Sequence, residues 1–207
     1  MNEAAPPRLE LALKQHLAPL LRSDGFSGTG RTFRRVRDGW IQVIGVQGSR
    51  HGGQFAINLG LQPLSVAHVL GELPDPKKIT DSLCEFRRRL TADGSDQWWS
   101  HGQSQESMNQ AAEQAAAVYV TVGRKLLASV SGPQSPFEQI SPEVFARSTE
   151  SFVGFGSTRV RMALVLSLLR RSQHRFSESA AFAEIGLGDV GSAAGLRPKL
   201  EELAAGK

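Results

Sequence analysis

The chain holds 207 residues, 40% of them hydrophobic and 21% charged, with 21 Gly and 10 Pro, proportions that exclude collagen, coiled coil and wholesale disorder. Its 24 Lys and Arg outnumber 20 Asp and Glu for a formal charge of +4, which permits nucleic acid as a partner without implying it. A chain of this length suits one domain, or one with a sizeable appendage, and buries an adequate core without metals or disulfides.

Residues 1–7 are acidic and proline-bearing, with neither the basic start nor the apolar stretch of a leader peptide. The longest apolar run, residues 162–169, is broken by Ser167 and falls far short of the ~20 residues that cross a bilayer. Cys84 is the single cysteine and has no partner for an internal disulfide. These features point to a cytoplasmic protein that does not enter membranes.

Leu9, Leu13, Leu17, Leu20 and Leu21 recur at spacings of three and four, the pattern of one buried helix face. Pro19 interrupts this helix unless its last turn is kinked. Three runs rich in aromatic and β-branched residues follow, 31–37, 40–47 and 54–61, separated by Asp38-Gly39 and a glycine-rich loop; they read as an antiparallel meander. Within the third, Phe55, Ile57, Leu59 and Leu61 alternate with Ala56, Asn58 and Gly60, so one face is buried and the other nearly bare. Residues 65–71 suggest a short helix. Residues 83–90 read as a charged edge strand that sets Cys84, Phe86, Arg88 and Leu90 on one side against Leu83, Glu85, Arg87 and Arg89, and Trp98-Trp99 falls in the loop after it.

The Ala-rich stretch 105–131 reads as the longest helix, closed by Gly132-Pro133. Ser141-Pro142 is a good helix start, with Ser at the cap and Pro at the first position. Residues 158–172, 176–185 and 193–205 offer further helices. The expected fold is α+β: a four-stranded antiparallel sheet packed by helices over residues 1–132, with a helical C-terminal extension over 133–207.

The succession Gly28-Thr-Gly-Arg-Thr-Phe33, Trp40-Ile-Gln-Val-Ile-Gly-Val-Gln-Gly-Ser-Arg50, Phe55-Ala-Ile-Asn-Leu-Gly60, Cys84-Glu-Phe-Arg87 and Trp98-Trp99 resembles domain-of-unknown-function family 4304 over about residues 8–130. The resemblance implies a bacterial α+β module of a helix and an antiparallel sheet. It carries no assigned activity, so it transfers no catalytic role.

Polar residues occupy strand positions where apolar ones are expected: Gln42, Gln47, Asn58 and Arg87, with Ser49 and Arg50 in the adjoining loop. If the strands are neighbours, these side chains converge on the small-residue face and make a patch able to hold a carboxylate, phosphate or backbone segment; the plainer account is an internal hydrogen-bond network. Trp98 and Trp99 either clamp a planar ligand or cap the core. The five histidines stand singly, without metal spacing. Neither a Gly-Lys-Ser/Thr phosphate loop nor a nucleophile elbow is present.

With no nucleophile, base or metal constellation in view, no catalytic residue, metal ligand or cofactor is expected. The leading expectation is a bacterial binding or interaction module, of the immunity or accessory kind, with a protein partner. The candidate ligand-binding residues are Gln47, Ser49, Arg50, Asn58, Arg87, Trp98 and Trp99, and an enzyme or small-anion receptor using the sheet patch of Gln47, Asn58 and Arg87 is the alternative. Nucleic-acid binding through Arg31, Arg34, Arg35 and Arg37 with Arg87, Arg88 and Arg89 is disfavoured, since the aromatic platforms that interleave such charges are sparse. The oligomeric state stays open.

Overall fold

The computed structural model describes residues 8–68, 71–148 and 152–206. Helix α1 spans residues 9–23 and buries Leu9, Leu13, Leu17 and Leu21 as the spacing requires. Pro19 does not end it. Proline has no N–H for the carbonyl one turn back, and the helix absorbs the misfit as a π-helical stretch over Leu13–Leu17 before resuming over Ala18–Ser23.

The meander follows as β1 (Ser27–Thr29), β2 (Thr32–Arg37), β3 (Trp40–Gly48) and β4 (Gln54–Pro63), all antiparallel neighbours. Asp38 and Gly39 take positive φ angles of 52° and 79°, the type I′ geometry whose twist matches the flanking strands. On the far side of β4 lie β5 (Phe86–Arg89), opposite residues 58–61, and β6 (Trp99–Ser100), opposite residues 54 and 55. The sheet therefore has six strands rather than the four expected. The extra two, β1 and β6, are three and two residues long, too short for an alternating pattern to register, and β6 moves Trp99 from the expected loop into the sheet.

Two further expectations are corrected. Residues 65–68 form turns rather than helix, and residues 69 and 70 of that segment lie outside the described residues, as do residues 1–7. The edge strand starts at Phe86, because Asp81–Leu83 forms a 3₁₀ turn. Cys84 thus sits with Ile41, Val43 and Ile79, apart from Phe86, which joins the main core. Glu85, expected on a solvated side, is buried and receives two hydrogen bonds from Arg161, at 3.0 and 2.5 Å.

Helix α2 covers residues 105–129, with a second π-helical stretch over Tyr119–Gly123. Its π segment is tied to the end of α1 through Asp24, whose carboxylate accepts from the Tyr119 hydroxyl at 2.5 Å and from Arg124 Nε at 2.7 Å. Burial pushes that carboxyl up, and these two donors more than offset it, so the Asp24 pKa lies below the usual carboxylate range. Gln42 is buried on this same side: it accepts from Arg35 at 2.8 Å and donates to the Leu127 carbonyl at 3.0 Å and Ser131 Oγ at 2.6 Å. Gln42 therefore does not join the other polar strand residues, and the plainer reading, a bond between sheet and helix, describes it.

The tail supplies α3 (Pro136–Gln139), α4 (Pro142–Arg147), α5 (Arg159–Ser172), α6 (Phe176–Gly188) and α7 (Arg197–Ala204). Ser135 and Ser141 cap α3 and α4 by accepting from Glu138 N and Val144 N, each at 3.3 Å. Phe137 of α3 stands among Trp40, Phe86 and Phe152, at ring-centroid distances of 5.0, 4.6 and 4.7 Å. One buried cluster accordingly runs from Leu13 and Leu17 through Phe55, Ile57 and Leu59 to Met162, Leu166, Leu169 and Phe182.

Ile57 is fully buried in that cluster, and Ile57→Ala is expected to lower the unfolding free energy by about 2–5 kcal/mol, read from the denaturation midpoint at unchanged slope. Truncation after Gly132 removes Phe137 from the rings of Trp40 and Phe86, Phe152 from that of Phe86, and Phe155 from the shared core. The fragment is expected to aggregate; a folded, monomeric fragment would mark the tail as a separable unit.

Candidate functional site

Strand alternation divides the sheet into two faces. Phe55, Ile57, Leu59 and Leu61 of β4 point to the main core, as does Phe86 of β5. Gly45, Gln47, Ala56, Asn58, Gly60, Arg87 and Arg89 occupy the outer positions, with Gly45 opposite Asn58, Asn58 opposite Arg89 and Gly60 opposite Arg87. This outer face is not bare. The chain between β4 and β5 crosses it, and Ile79 and Cys84 pack on Ile41 and Val43.

Gly45 and Gly60 make that crossing possible. A Cβ on Gly45 would fall 1.9 Å from Asp81 Oδ1, and one on Gly60 would fall 2.7 Å from Cys84 Sγ. The two glycines form the slot into which Asp81 and Cys84 settle. Beside it the outer face opens into two adjoining hollows of about 420 and 370 Å³, both lined by Gln47, Asn58, Asp81 and Arg87.

Within this groove Asn58 Nδ2 donates to Gln47 Oε1 at 3.1 Å. Arg89 pairs with Asp96 at 3.0 Å and lies over the ring of Trp98, 4.9 Å from its centroid. Trp98 donates from Nε1 to Asp96 at 3.1 Å. Arg87 is exposed, and among the described residues its guanidinium has no hydrogen-bond or ion-pair partner. The groove thus presents one unengaged guanidinium, two amides that hold each other, and the Asp81 carboxylate on its floor.

Of the seven residues singled out in the sequence, Gln47, Asn58 and Arg87 come together, and Trp98 flanks them through Arg89. Ser49 and Arg50 do not: they sit in the turn beyond β3, where Ser49 Oγ accepts from the His51 N–H at 3.2 Å. Trp99 is buried and stacks on Phe55 with centroids 5.6 Å apart, so it caps the core and does not reach the groove. Asp81 escaped the sequence reading, although two glycines facing outward on adjacent central strands were the signal that something must lie against them.

The two arginine groups do not form a continuous stripe. Arg31 pairs with Glu10 at 2.7 Å, Arg34 donates to the Ile79 and Lys78 carbonyls, and Arg35 donates to Gln42 and to the Asp24 carbonyl at 2.8 and 2.5 Å. Arg88 donates to the Val153 carbonyl. Of the seven arginines in those groups, Arg87 alone lacks a partner among the described residues. Among the described residues there is also no cluster of His, Cys, Asp and Glu able to hold a metal ion, and no helix is long and apolar enough to cross a membrane.

The match to a known family coincides with the body that carries this groove, from residue 17 in α1 to residue 128 at the end of α2. The chain belongs to the family described as Domain of unknown function (DUF4304). No curated protein and no solved structure matches the chain. Every groove residue named above lies inside the matched span of this DUF4304 member, whereas α3 to α7 lie beyond it.

Cys84 lies against Gly60, and its thiol is buried and donates to the Thr80 carbonyl at 3.4 Å. Burial, with the neighbouring Asp81 carboxylate adding to it, pushes the thiol pKa far up, away from the thiolate that nucleophilic chemistry requires. Native protein is expected to react with a thiol reagent only as fast as it unfolds, so labelling in buffer at neutral pH should be slower than in denaturant by orders of magnitude; comparable rates would reveal an activated thiol.

Proposed function

We propose that the protein is a binding module whose outer-face groove receives an acidic group presented by a partner protein. The observation that carries this reading is Arg87, an exposed guanidinium with no side-chain partner among the described residues, beside the hydrogen-bonding amides of Asn58 and Gln47. A carboxylate accepts two parallel hydrogen bonds from such a fork. Asn58 spends one amide hydrogen on Gln47, which leaves donor capacity for the same ligand. Asp81 on the floor disfavours a densely charged polyanion and favours a ligand that brings its own N–H donors, as a peptide backbone does.

A partner-neutralising role of the immunity or accessory kind, in the bacterial cytoplasm, is the setting we favour. An unpaired, buried cysteine is at home in a reducing compartment. A small free anion taken by the same groove is the second reading, favoured by the same guanidinium. Nucleic acid has the weaker support, because the other arginines of its expected stripe spend their donors inside the protein.

The test is a titration of isotope-labelled protein with an acetylated Glu-Glu-Gly amide peptide and, separately, with inorganic phosphate. Saturable shifts confined to Gln47, Asn58, Arg87 and Trp98, and weakened about tenfold or more by Arg87→Ala, are the expected result with the peptide. Phosphate shifting the same residues more strongly than peptide supports the free-anion reading instead, and peptide shifts unaltered by Arg87→Ala overturn the site.

A further inference from the structure

A hollow of about 550 Å³ lies between α5 and the chain after β4, away from the groove. One wall is α5. Arg161, Leu164, Val165, Leu168 and Arg171 follow spacings of three and four, so they form one stripe on that helix. It adjoins the Met162, Leu166 and Leu169 face of the main core, which Val165 also joins, while Leu164 packs with Ala183 and Leu200. Val66 and Ala67 after β4 and Leu196 before α7 complete the apolar lining. At the mouth, Ser65 Oγ and Ser172 Oγ share a hydrogen bond of 2.9 Å.

The two ends of the stripe differ in charge. Arg161 gives Nε and Nη2 to Glu85, whose side chain is 2% exposed, so that end is a closed ion pair. Lys199, at the rim, is held by Glu202 at 2.6 Å. Arg171 is half-buried, and among the described residues its guanidinium makes no hydrogen bond or close ion pair, although the Glu202 carboxylate, held first by Lys199, lies near enough to feel its charge as well. Ten residues of helix separate the two arginines, about 15 Å of rise, with three aliphatic side chains between them.

We propose that this hollow binds a monoanionic amphiphile, an alkyl carboxylate whose head group pairs with Arg171 and whose chain lies along Leu168, Val165 and Leu164. The volume falls in the range of small-molecule sites, which are apolar with few fixed polar groups. The charge asymmetry sets the orientation: the ion pair of Glu85 and Arg161 offers no net charge to a second carboxylate, and Arg171 does. The site needs both the chain after β4, within the family span, and α5, beyond it. Its lining shares no residue with that of the groove on the sheet.

Calorimetric titration of the full chain with decanoate, below its micelle concentration, tests the proposal, with acetate and decyltrimethylammonium as comparison probes. Saturable one-to-one binding of decanoate is expected, with no measurable heat from acetate. Arg171→Ala should weaken decanoate binding roughly tenfold or more, and Leu168→Trp, which fills the hollow, should abolish it, each variant being first shown to keep the wild-type unfolding transition. Arg87→Ala should leave decanoate binding unchanged, which separates this site from the groove. Absence of saturable decanoate binding overturns the proposal, as does equal affinity for decyltrimethylammonium, and so does binding that survives both Arg171→Ala and Leu168→Trp.

Discussion

The guanidinium of Arg170 is fully buried, and what it requires shapes everything that follows residue 132. A buried guanidinium is costly unless its donors are satisfied. Nη2 is shared among the carbonyls of Phe137, Glu138 and Ile140 at 2.9, 3.2 and 3.1 Å, Nε donates to Glu178 at 3.2 Å, and Nη1 donates to Gln173 at 3.3 Å. Burial lowers its pKa and Arg175 adds to that, while Glu138 and Glu178 oppose both. Three of the acceptors are carbonyls at the end of α3, groups a helix leaves unpaired. Arg170 therefore welds α5 to α3, and α3 in turn carries Phe137 into the rings of Trp40 and Phe86. A lysine has neither the fork nor the reach across several acceptors.

Fixing α5 has consequences on the sheet. Once its core face is committed to Met162, Leu166 and Leu169, the adjacent stripe faces the chain between β4 and β5, and Arg161 reaches Glu85. The Glu85 N–H is held as well, donating to Gln62 Oε1 at 3.0 Å. A residue pinned at both backbone and carboxylate sets where β5 begins, and two residues later strand alternation turns Arg87 to the outer face. A helix that lies outside the family span thus buttresses, through Glu85, the start of the strand that carries Arg87, whose register is set by its pairing with β4.

Local signals in the sequence sufficed for the elements whose cause is local. The leucine stripe of α1, the Asp38-Gly39 turn, the alternation of β4 and the Ser141-Pro142 start of α4 are each decided by residues a few positions apart. What stayed hidden has distant causes. Strands β1 and β6 are specified by the neighbours they pair with, since two or three residues carry no period of their own. Nothing within its own segment marks Arg170 as buried, and only the carbonyls at residues 137–140 turn it into a core residue. Among the polar strand residues, Gln47, Asn58 and Arg87 were legible as outward and neighbouring, whereas Gln42 obeyed the same polarity signal from the opposite face, where Leu127 and Ser131 await it.

An unpaired surface arginine is by itself unremarkable, because an exposed ion pair contributes only about 0–1 kcal/mol and its absence costs little. Arg87 and Arg171 differ in their surroundings: each borders a hollow rather than a convex surface, and each has neighbours whose own charges are already matched, Arg89 by Asp96 and Lys199 by Glu202. In the hollow beside Arg171 the apolar walls strengthen whatever charge pairing a ligand makes there relative to open water. The two sites separate along the chain as well. All named lining residues of the groove except Gly156 come from the matched span, so the groove belongs to the family module, while the hollow beside Arg171 exists only where α5 and the segment before α7 are added to it. The groove and the hollow thus draw on different parts of the chain, the first on the family module and the second on that module together with the extension.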